Sequence, residues 1–421
     1  MDSDRPQHQP TTVEAAVDSV YRQHWRKSVA VLLASCRDLA LAEDCVQEAF
    51  SRALRSWAQE GIPENPGAWI LVTARRVLID HIRSRDAGTR AIARLWDQPL
   101  WQVELELLDD PENDTRDDEL ALMLLCCHPA LAPTDQVLLM LRTVAGLTPE
   151  QIAPMFYSNE PGIRSRLTRA KRKIRLSRVP LRQPSDPAVA DRLPQVLAAV
   201  RLAFTHGHRP GAATPDAGAD LRREAIRLAQ VLTGVSEEPD TWSLLALLMF
   251  TNERMRTRLD EHGRFIPLPN QVRTRWDQDT IATAAAALDR GRSNTMRSPY
   301  QLEAEISALH TTATSAEHTD WAQIVVLYNE LVEVAGDGNA GTKLNRAIAM
   351  AEAGDHIRAA TELERLDPDK LGGPWRLHAA RAHLHTIAGD TIKATAAWNL
   401  AGQSAPTAAL RDQLTARPGM L

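Results

Sequence analysis

Residues 147–175 read LTPEQIAPMFYSNEPGIRSRLTRAKRKIR, and this segment is the most informative about the fold. It opens with residues 148–151, TPEQ, where an N-cap residue precedes proline at the first helical position and Gln occupies the third. This capping-box pattern predicts the start of a short helix. After a brief turn, Asn159 is placed to cap a second, basic helix that extends to about Arg175. Two short helices joined by a tight turn predict a helix-turn-helix.

The second helix of this motif is positively charged around much of its circumference. A helix of its width fits the major groove, where Arg can bond guanine through two hydrogen bonds and where Ser165 or Thr168 can reach bases or phosphates. The alternative to DNA binding is a solvated basic face on a surface helix. The position of this helix directly after a capped helix and a turn favours DNA binding. Its basic residues are Arg164, Arg166, Arg169, Lys171, Arg172, Lys173 and Arg175.

Upstream, residues 41–57 predict an amphipathic helix, because apolar residues recur there at three- and four-residue steps. Its polar side carries Asp44, Gln47 and Glu48. Turn residues at 61–67 separate it from a helix running from about Ala68 to Arg85, on which charged residues share one face. Trp69 near its start either stacks on an unpaired base or packs in the core, and the sequence favours neither.

The charge of the chain is segregated along its length. The net charge is −5, yet residues 164–182 hold nine Lys or Arg and no acid, and residues 104–119 hold nine acids against one base. We interpret residues 96–117 as an acidic linker. The chain has no apolar run of membrane-spanning length and no signal peptide, and its four cysteines suit a reducing compartment, so a cytoplasmic location is expected.

Catalysis and metal binding find no support in the sequence. Residues 126–128, CCH, offer adjacent ligands, which is poor zinc geometry, and no second cluster follows at a suitable distance. A buried helix end is the favoured alternative. No phosphate loop, nucleophile motif or carboxylate pair stands out, so we predict a protein without cofactor or metal and without enzymatic activity.

Two separate motifs resemble the extracytoplasmic-function (ECF) sigma factors of the sigma-70 family, the promoter-recognition subunits of bacterial RNA polymerase. Residues 42–50, AEDCVQEAF, are similar to the family's AEDLVQEAF in its second conserved region. Residues 68–76, AWILVTARR, are similar to its WLYRIARN helix, and residues 147–175 resemble its fourth region without a gap. The motifs occur in the family's order and at its spacing, and the resemblance covers roughly the first 180 residues.

The resemblance implies a role for each helix and two partners, core RNA polymerase and promoter DNA. The polar face of the first helix would bind core polymerase through Asp44, Gln47 and Glu48. The next helix would open and read the minus-ten element, and the acidic linker would lie where nascent RNA leaves. The minus-ten set is Trp69, Arg75, Arg76, Asp80, Arg83 and Arg85. The minus-thirty-five set is Asn159, Arg164, Ser165, Arg166, Thr168, Arg169, Lys171 and Arg172.

The C-terminal part resembles the extension of a sigma subgroup that has tetratricopeptide-like repeats. An Ala-Gly-Asp signature at 353–355 recurs at 388–390, 35 residues later, which is close to the spacing of such helix pairs. We therefore predict an all-α protein. Its parts are a sigma region 2 domain at 13–95, the linker at 96–117, a region 4 helix-turn-helix domain at 118–182, and a helical extension at 188–421 with repeats at about 320–405.

Three departures from the family pattern keep other functions open. Arg76 stands where the family often has Asn, Tyr157 replaces the turn glycine, and Pro154 lies inside the first helix of the motif. One alternative is a sigma mimic that sequesters an anti-sigma factor. Another is a repeat scaffold that the helix-turn-helix localises on DNA. The extension is expected either to control the sigma domains or to bind another protein, such as an anti-sigma factor.

Overall fold

The structure, a computed structural model, describes residues 12–36, 38–85, 115–156, 158–177, 192–207, 215–260, 266–293, 296–336 and 339–415. Over these ranges the chain is built from helices and contains no β-strand, which confirms the predicted all-α class. The chain divides into two compact units, Met1–Val235 and Ser236–Leu421.

The first unit begins with three packed helices, α1 (Thr12–Cys36), α2 (Leu39–Glu60) and α3 (Pro66–Arg85). The Asp38 side chain caps α2 by accepting hydrogen bonds from two of its first backbone amides. The apolar face predicted for α2 is the buried one, and Trp57 on it is only 2% exposed. The same burial leaves Asp44 and Gln47 exposed on the outer side of α2, where a partner can reach them.

The region predicted to hold the helix-turn-helix contains α4 (Thr115–Cys126), α5 (Pro133–Thr143), α6 (Pro149–Ile152) and α7 (Glu160–Ser177). The predicted capping box is present: Gln151 N donates to Thr148 Oγ1 over 3.3 Å, and Thr148 N donates to Gln151 Oε1 over 2.8 Å. After α6 the chain tightens into a 3₁₀ turn, Ala153–Phe156. Pro154 lies in that turn, where the missing amide hydrogen is tolerated better than inside an α-helix.

Some of the predicted features fall outside the described residues. Tyr157, which stands where the family has a turn glycine, is one of them. Most of the predicted acidic linker is another, since only its residues 115–117 are described and they form the start of α4.

Two helices beyond the predicted boundary at 188 belong to the first unit. They are α8 (Leu193–Gly207) and α9 (Pro215–Thr233), which pack on each other and on α4, while α8 also packs on α5. Their apolar faces explain the difference, because Val196, Val200 and Phe204 of α8 are at most 5% exposed. The compact unit therefore extends to Val235, further along the chain than the composition change suggested.

A buried carboxylate on α4 joins three parts of this unit. Glu119, with 7% of its side chain exposed, lies 3.2 Å from Nε of Arg26 on α1. It also accepts hydrogen bonds from Arg227 on α9, one of them over 3.0 Å. Burial alone would lower the pKa of the Arg227 guanidinium, but the hydrogen bonds and charges of Glu224 and Glu119 outweigh it and raise that pKa. The Arg227 guanidinium therefore stays ionised.

The second unit is a succession of helices in which each apolar cluster is shared by consecutive members. The helices are α10 (Pro239–Met255), α11 (Gln278–Gly291), α12 (Pro299–Thr312), α13 (Trp321–Ala335), α14 (Ala340–Glu352), α15 (His356–Glu364), α16 (Pro374–Ile387), α17 (Thr391–Gln403) and α18 (Ala408–Thr415). Residues of α12, α13 and α14 form one cluster, those of α14 to α16 form the next, and those of α16 to α18 form the last.

The two Ala-Gly-Asp signatures form the same turn. Gly354 (φ 88°) and Gly389 (φ 76°) are both left-handed, a conformation that favours glycine. Asp355 N and Asp390 N each donate back to the preceding helix over 2.9 Å, and each Asp side chain then caps the next helix. The weak sequence repeat is thus a repeat of local geometry, and its assignment as tetratricopeptide-like stays a prediction.

A half-buried group of charged and aromatic side chains lies in the second unit. Arg273 donates to the backbone oxygen of His310 over 2.8 Å, and the His310 ring meets Trp321 edge to face at 5.1 Å. Burial lowers the pKa of His310 to about 3, and the positive charges of Arg254 and Arg273 act in the same direction. The imidazole is therefore neutral at physiological pH.

Candidate nucleic-acid interface

The residues predicted to bind polymerase lie together on the outer face of α2. Asp44 and Gln47 are exposed, while Glu48 is half-buried and accepts a hydrogen bond from Arg52 Nε over 2.9 Å. Partial loss of water raises the pKa of Asp44, although the charge of Lys171 opposes that shift. The face can receive a partner that carries positive charge.

One residue predicted for DNA instead shares a cavity with this acidic face. Asp44, Glu48, Asp80 and His81 line an open cavity of about 480 Å³ between α2 and α3. A carboxylate repels DNA phosphates, so the surroundings of Asp80 suit the same partner as Asp44 and Glu48. Asp80 thus lies beside Asp44 and Glu48, and its role at the minus-ten element stays a prediction.

The rest of the minus-ten set is divided between surface and core. Arg76 and Arg83 are exposed and Arg75 is half-buried on α3, while the side chain of Arg85 lies outside the described residues. Trp69 is half-buried and packs edge to face on Trp57, with ring centroids 5.5 Å apart. This contact favours the core alternative for Trp69, although part of its surface is still open to a base.

The exposed side of α7 presents most of the predicted minus-thirty-five residues. Asn159 is exposed, and its Oδ1 accepts from Gly162 N over 2.8 Å and so caps the helix. Arg164 pairs with Glu160 over 2.5 Å and with Glu150 over 2.9 Å. The other exposed members of this set are Ser165, Thr168, Arg169 and Arg172.

Two residues that were predicted to contact DNA bind carboxylates of the protein itself. Arg166 donates to Asp135 on α5 over 2.6 and 3.0 Å. The ammonium of Lys171 pairs with the carboxylate of Glu43 on α2, and only 16% of the Lys171 side chain is exposed. Sequence reasoning missed Glu43, which is the second residue of the quoted AEDCVQEAF motif and which the structure buries against α7.

The CCH stretch of residues 126–128 lies at the C-terminal end of α4. Cys126 and Cys127 are fully buried, and burial raises the pKa of both thiols. His128 Nδ1 accepts from Ala130 N over 3.0 Å. Within the described ranges no cluster of three or more His, Cys, Asp or Glu could hold a metal ion. None of the helices in those ranges has the length and apolarity to cross a membrane.

The described part of the first unit combines an exposed acidic face on α2 with a basic helix, α7, that follows a capped turn. Two families match parts of the chain. Sigma-70 region 2 matches residues 20–88, which include α2 and α3. A family of unknown function, DUF6596, matches residues 192–292, so it begins with α8 and continues past Val235 into the second unit.

The chain is also similar to three whole proteins. An uncharacterized protein of Rhizobium meliloti is 34% identical over 394 residues, 92% of each chain. A probable ECF RNA polymerase sigma factor, SigI, of Mycobacterium tuberculosis is 35% identical over 41% of this chain and 57% of its own length. A probable RNA polymerase sigma factor, RfaY, of Xanthomonas campestris is 29% identical over 35% of this chain and 36% of its own. No solved structure matches.

The chain belongs to one family with the Rhizobium meliloti protein, and its residues 20–88 match sigma-70 region 2.

Proposed function

We propose that this protein is an alternative sigma factor of the ECF type that binds core RNA polymerase and recognises minus-ten and minus-thirty-five promoter elements. It would thereby start transcription of a specific regulon. The observation that carries the proposal is the pair of surfaces on one compact unit. An exposed acidic face on α2 suits polymerase, and an exposed basic face on α7, behind a capped helix-turn-helix, suits DNA.

The role of each surface follows from its charge. Asp44, Glu48 and Asp80 surround one cavity and can bind a basic partner. Arg169 and Arg172 are exposed on α7 and can neutralise phosphates or bond guanine edges. The polymerase performs the chemistry in this scheme, while the sigma factor contributes binding, and the extension regulates it.

Transcription from unselected DNA tests the proposal without knowledge of the promoter sequence. Purified core polymerase, the full chain and sheared genomic DNA are incubated with nucleotides, and the 5′ ends of the transcripts are sequenced. We expect starts at a limited set of sites that share two sequence elements. The Arg169→Ala/Arg172→Ala variant should lose them, while Lys370→Ala, an exposed charge in the second unit, should retain them. The absence of chain-dependent starts would contradict the proposal.

A sigma mimic is the second candidate, and one observation favours it. Arg166 and Lys171, two of the predicted DNA contacts, are both held by carboxylates of the protein itself. A mimic would associate with an anti-sigma factor and would produce no start sites in the same assay. Binding to an anti-sigma factor together with an absence of chain-dependent start sites would therefore support the mimic over the initiating factor.

A further inference from the structure

A cavity in the second unit carries an excess of positive charge. It has a volume of about 360 Å³ and is lined by residues of α14, of α15 and of the segment directly after α15. Four of its lining side chains are basic and one is acidic: Lys343, Arg346, Arg358 and Arg365 against Glu362. Charges of one sign around a concave site attract ligands of the opposite sign. This basic cavity therefore favours a negatively charged ligand.

The single acidic residue of the basic cavity does not cancel this charge. Glu362 is bound to Arg346, whose Nε donates to Glu362 Oε1 over 3.0 Å. Arg358 lies 3.3 Å from Asp355, but the two side chains are open to water, with exposed fractions of 66% and 39%. An exposed ion pair contributes little to stability, so a ligand carboxylate can replace Asp355. Arg365 is exposed as well, which leaves two arginines able to bind a ligand.

The internal repeat provides a second, independent observation. With the offset that aligns the two Ala-Gly-Asp signatures, Ala359 corresponds to Ala394 and Ile357 corresponds to Ile392. The two alanines are fully buried, so packing within the unit explains why both copies have alanine there. The two isoleucines are each 83% exposed, so packing within the unit does not explain them. A partner that covers both positions does.

The exposed isoleucines lie next to positive charge. Arg358 follows Ile357 in the chain, and Lys393 follows Ile392. Ile357 also comes one helical turn before Thr361, which lines the basic cavity, so the two lie on the same side of α15. A peptide with acidic and apolar side chains can use both features. Nucleic acid fits less well, because base stacking needs aromatic side chains and the eight described residues that line the cavity include none.

We infer that the basic cavity and the two exposed isoleucines bind an acidic peptide segment of a partner protein, a segment that also carries apolar side chains. Its carboxylates bond to Arg358 and Arg365, and its apolar side chains cover Ile357 and Ile392. The inference goes beyond the proposed function, because all of these residues belong to the second unit and none is among those assigned to polymerase or promoter. It defines by chemistry which kind of protein the extension recognises.

Selection from a phage library of random peptides tests the inference without knowledge of the partner. The full-length chain is immobilised, and its Arg358→Gln/Arg365→Gln variant is used for a parallel selection. Peptides that the wild-type chain enriches and the variant does not should contain Asp and Glu together with apolar residues. The most enriched of these peptides is synthesised with a fluorescent label, and its dissociation constant is measured by fluorescence anisotropy. Its binding should weaken as the salt concentration rises.

Substitutions separate the charged contact from the apolar one. Arg358→Gln/Arg365→Gln should weaken binding of this peptide about tenfold, as expected for the loss of two ion pairs at a surface cavity. Ile357→Ser should weaken it about fivefold, because part of the buried apolar area is lost. Lys370→Gln, at an exposed position outside the cavity lining, should leave the affinity unchanged. All of these positions are exposed, so the variants should fold like the wild type, which circular dichroism checks.

Three results would overturn the inference. The first is an absence of enriched peptides, or enrichment of peptides without acidic residues. The second is equal affinity of the selected peptide for the wild-type chain and the Arg358→Gln/Arg365→Gln variant. The third concerns a labelled thymidine oligonucleotide, measured in the Arg169→Ala/Arg172→Ala chain to limit binding by α7. If Arg358→Gln/Arg365→Gln weakens its binding and Ile357→Ser does not, the cavity binds nucleic acid instead of a peptide.

The inference and the proposed function fail separately. A chain that starts no transcription with core polymerase would contradict the proposed function, yet it would leave peptide binding by the second unit intact. Loss of peptide binding in the wild-type chain would leave the assignment of α2 and α7 unchanged.

Discussion

Replacing Glu119 with Gln should loosen the junction between α1, α4 and α9. Glu119 binds Arg26 and Arg227, whose side chains are 23% and 31% exposed. A hydrogen bond between charged groups contributes about 1.5–3 kcal/mol, against about 1 kcal/mol for a neutral one. Two arginines are affected, but water reaches both and Glu224 still pairs with Arg227. We therefore expect a loss of about 2 kcal/mol in the local opening free energy.

Native-state hydrogen exchange measures this loss where it occurs, because opening free energies differ along a chain. Amides of α4 should exchange about thirtyfold faster in the variant, which is the factor that corresponds to about 2 kcal/mol. Amides of α16 and α17, in the second unit, serve as the internal control and should not change. Glu64→Gln, at an exposed position of the first unit, is the matched variant.

Two results would refute this reasoning. Unchanged exchange in α4 would mean that solvent already compensates for the charge and that Glu119 does not stabilise the junction. Equal acceleration in both units would mean that the substitution acts on the whole chain and not through the contacts of Glu119 with α1 and α9.

Asp44→Arg should weaken binding to core polymerase about tenfold by charge reversal, whereas Glu64→Arg should not; equal dissociation constants for the two would remove Asp44 from the interface. Arg169→Ala with Arg172→Ala should lower the slope of log affinity for duplex DNA against log salt by about 2, and an unchanged slope would place the DNA on another surface. Burial holds the His310 pKa near 3, so below pH 6.5 the unfolded chain binds a proton that the folded chain does not. Between pH 7 and pH 5 the free energy of unfolding of the second unit, measured by chemical denaturation, should fall by up to roughly 2 kcal/mol. The His310→Gln variant should not show this fall.

Local signals in the sequence predicted local structure well. The Thr148–Gln151 capping box lies within four residues, and its two hydrogen bonds are present as expected. The apolar period of α2 identified its buried face, including Trp57. These features depend on backbone geometry and on neighbours one helical turn away, which a short window of sequence contains.

Contacts between distant residues could not be predicted in the same way. Lys171 reads as one more basic residue on a charged helix, yet it pairs with Glu43, which is 128 residues earlier. Arg166 likewise pairs with Asp135 on another helix. A charge pattern reports the sign of a face but not which members the tertiary fold will neutralise, so the predicted minus-thirty-five set includes residues that the protein uses internally.

The packing of α8 and α9 determines where the extension can be removed to test its control of the sigma part. A chain ending at residue 187 would lack Val196, Val200 and Phe204, each contributing about 1.5–3 kcal/mol by burial, and would leave Glu119 without Arg227. Amides of α4 and α5 should then exchange far faster than in a chain ending at residue 235. Loss of polymerase binding by the chain that ends at residue 187 would therefore report damage to the first unit. Only the chain that ends at residue 235 removes the second unit and leaves the first unit intact. Equal protection of α4 and α5 in the two truncated chains would contradict this, because it would mean that α8 and α9 contribute nothing to the stability of the first unit.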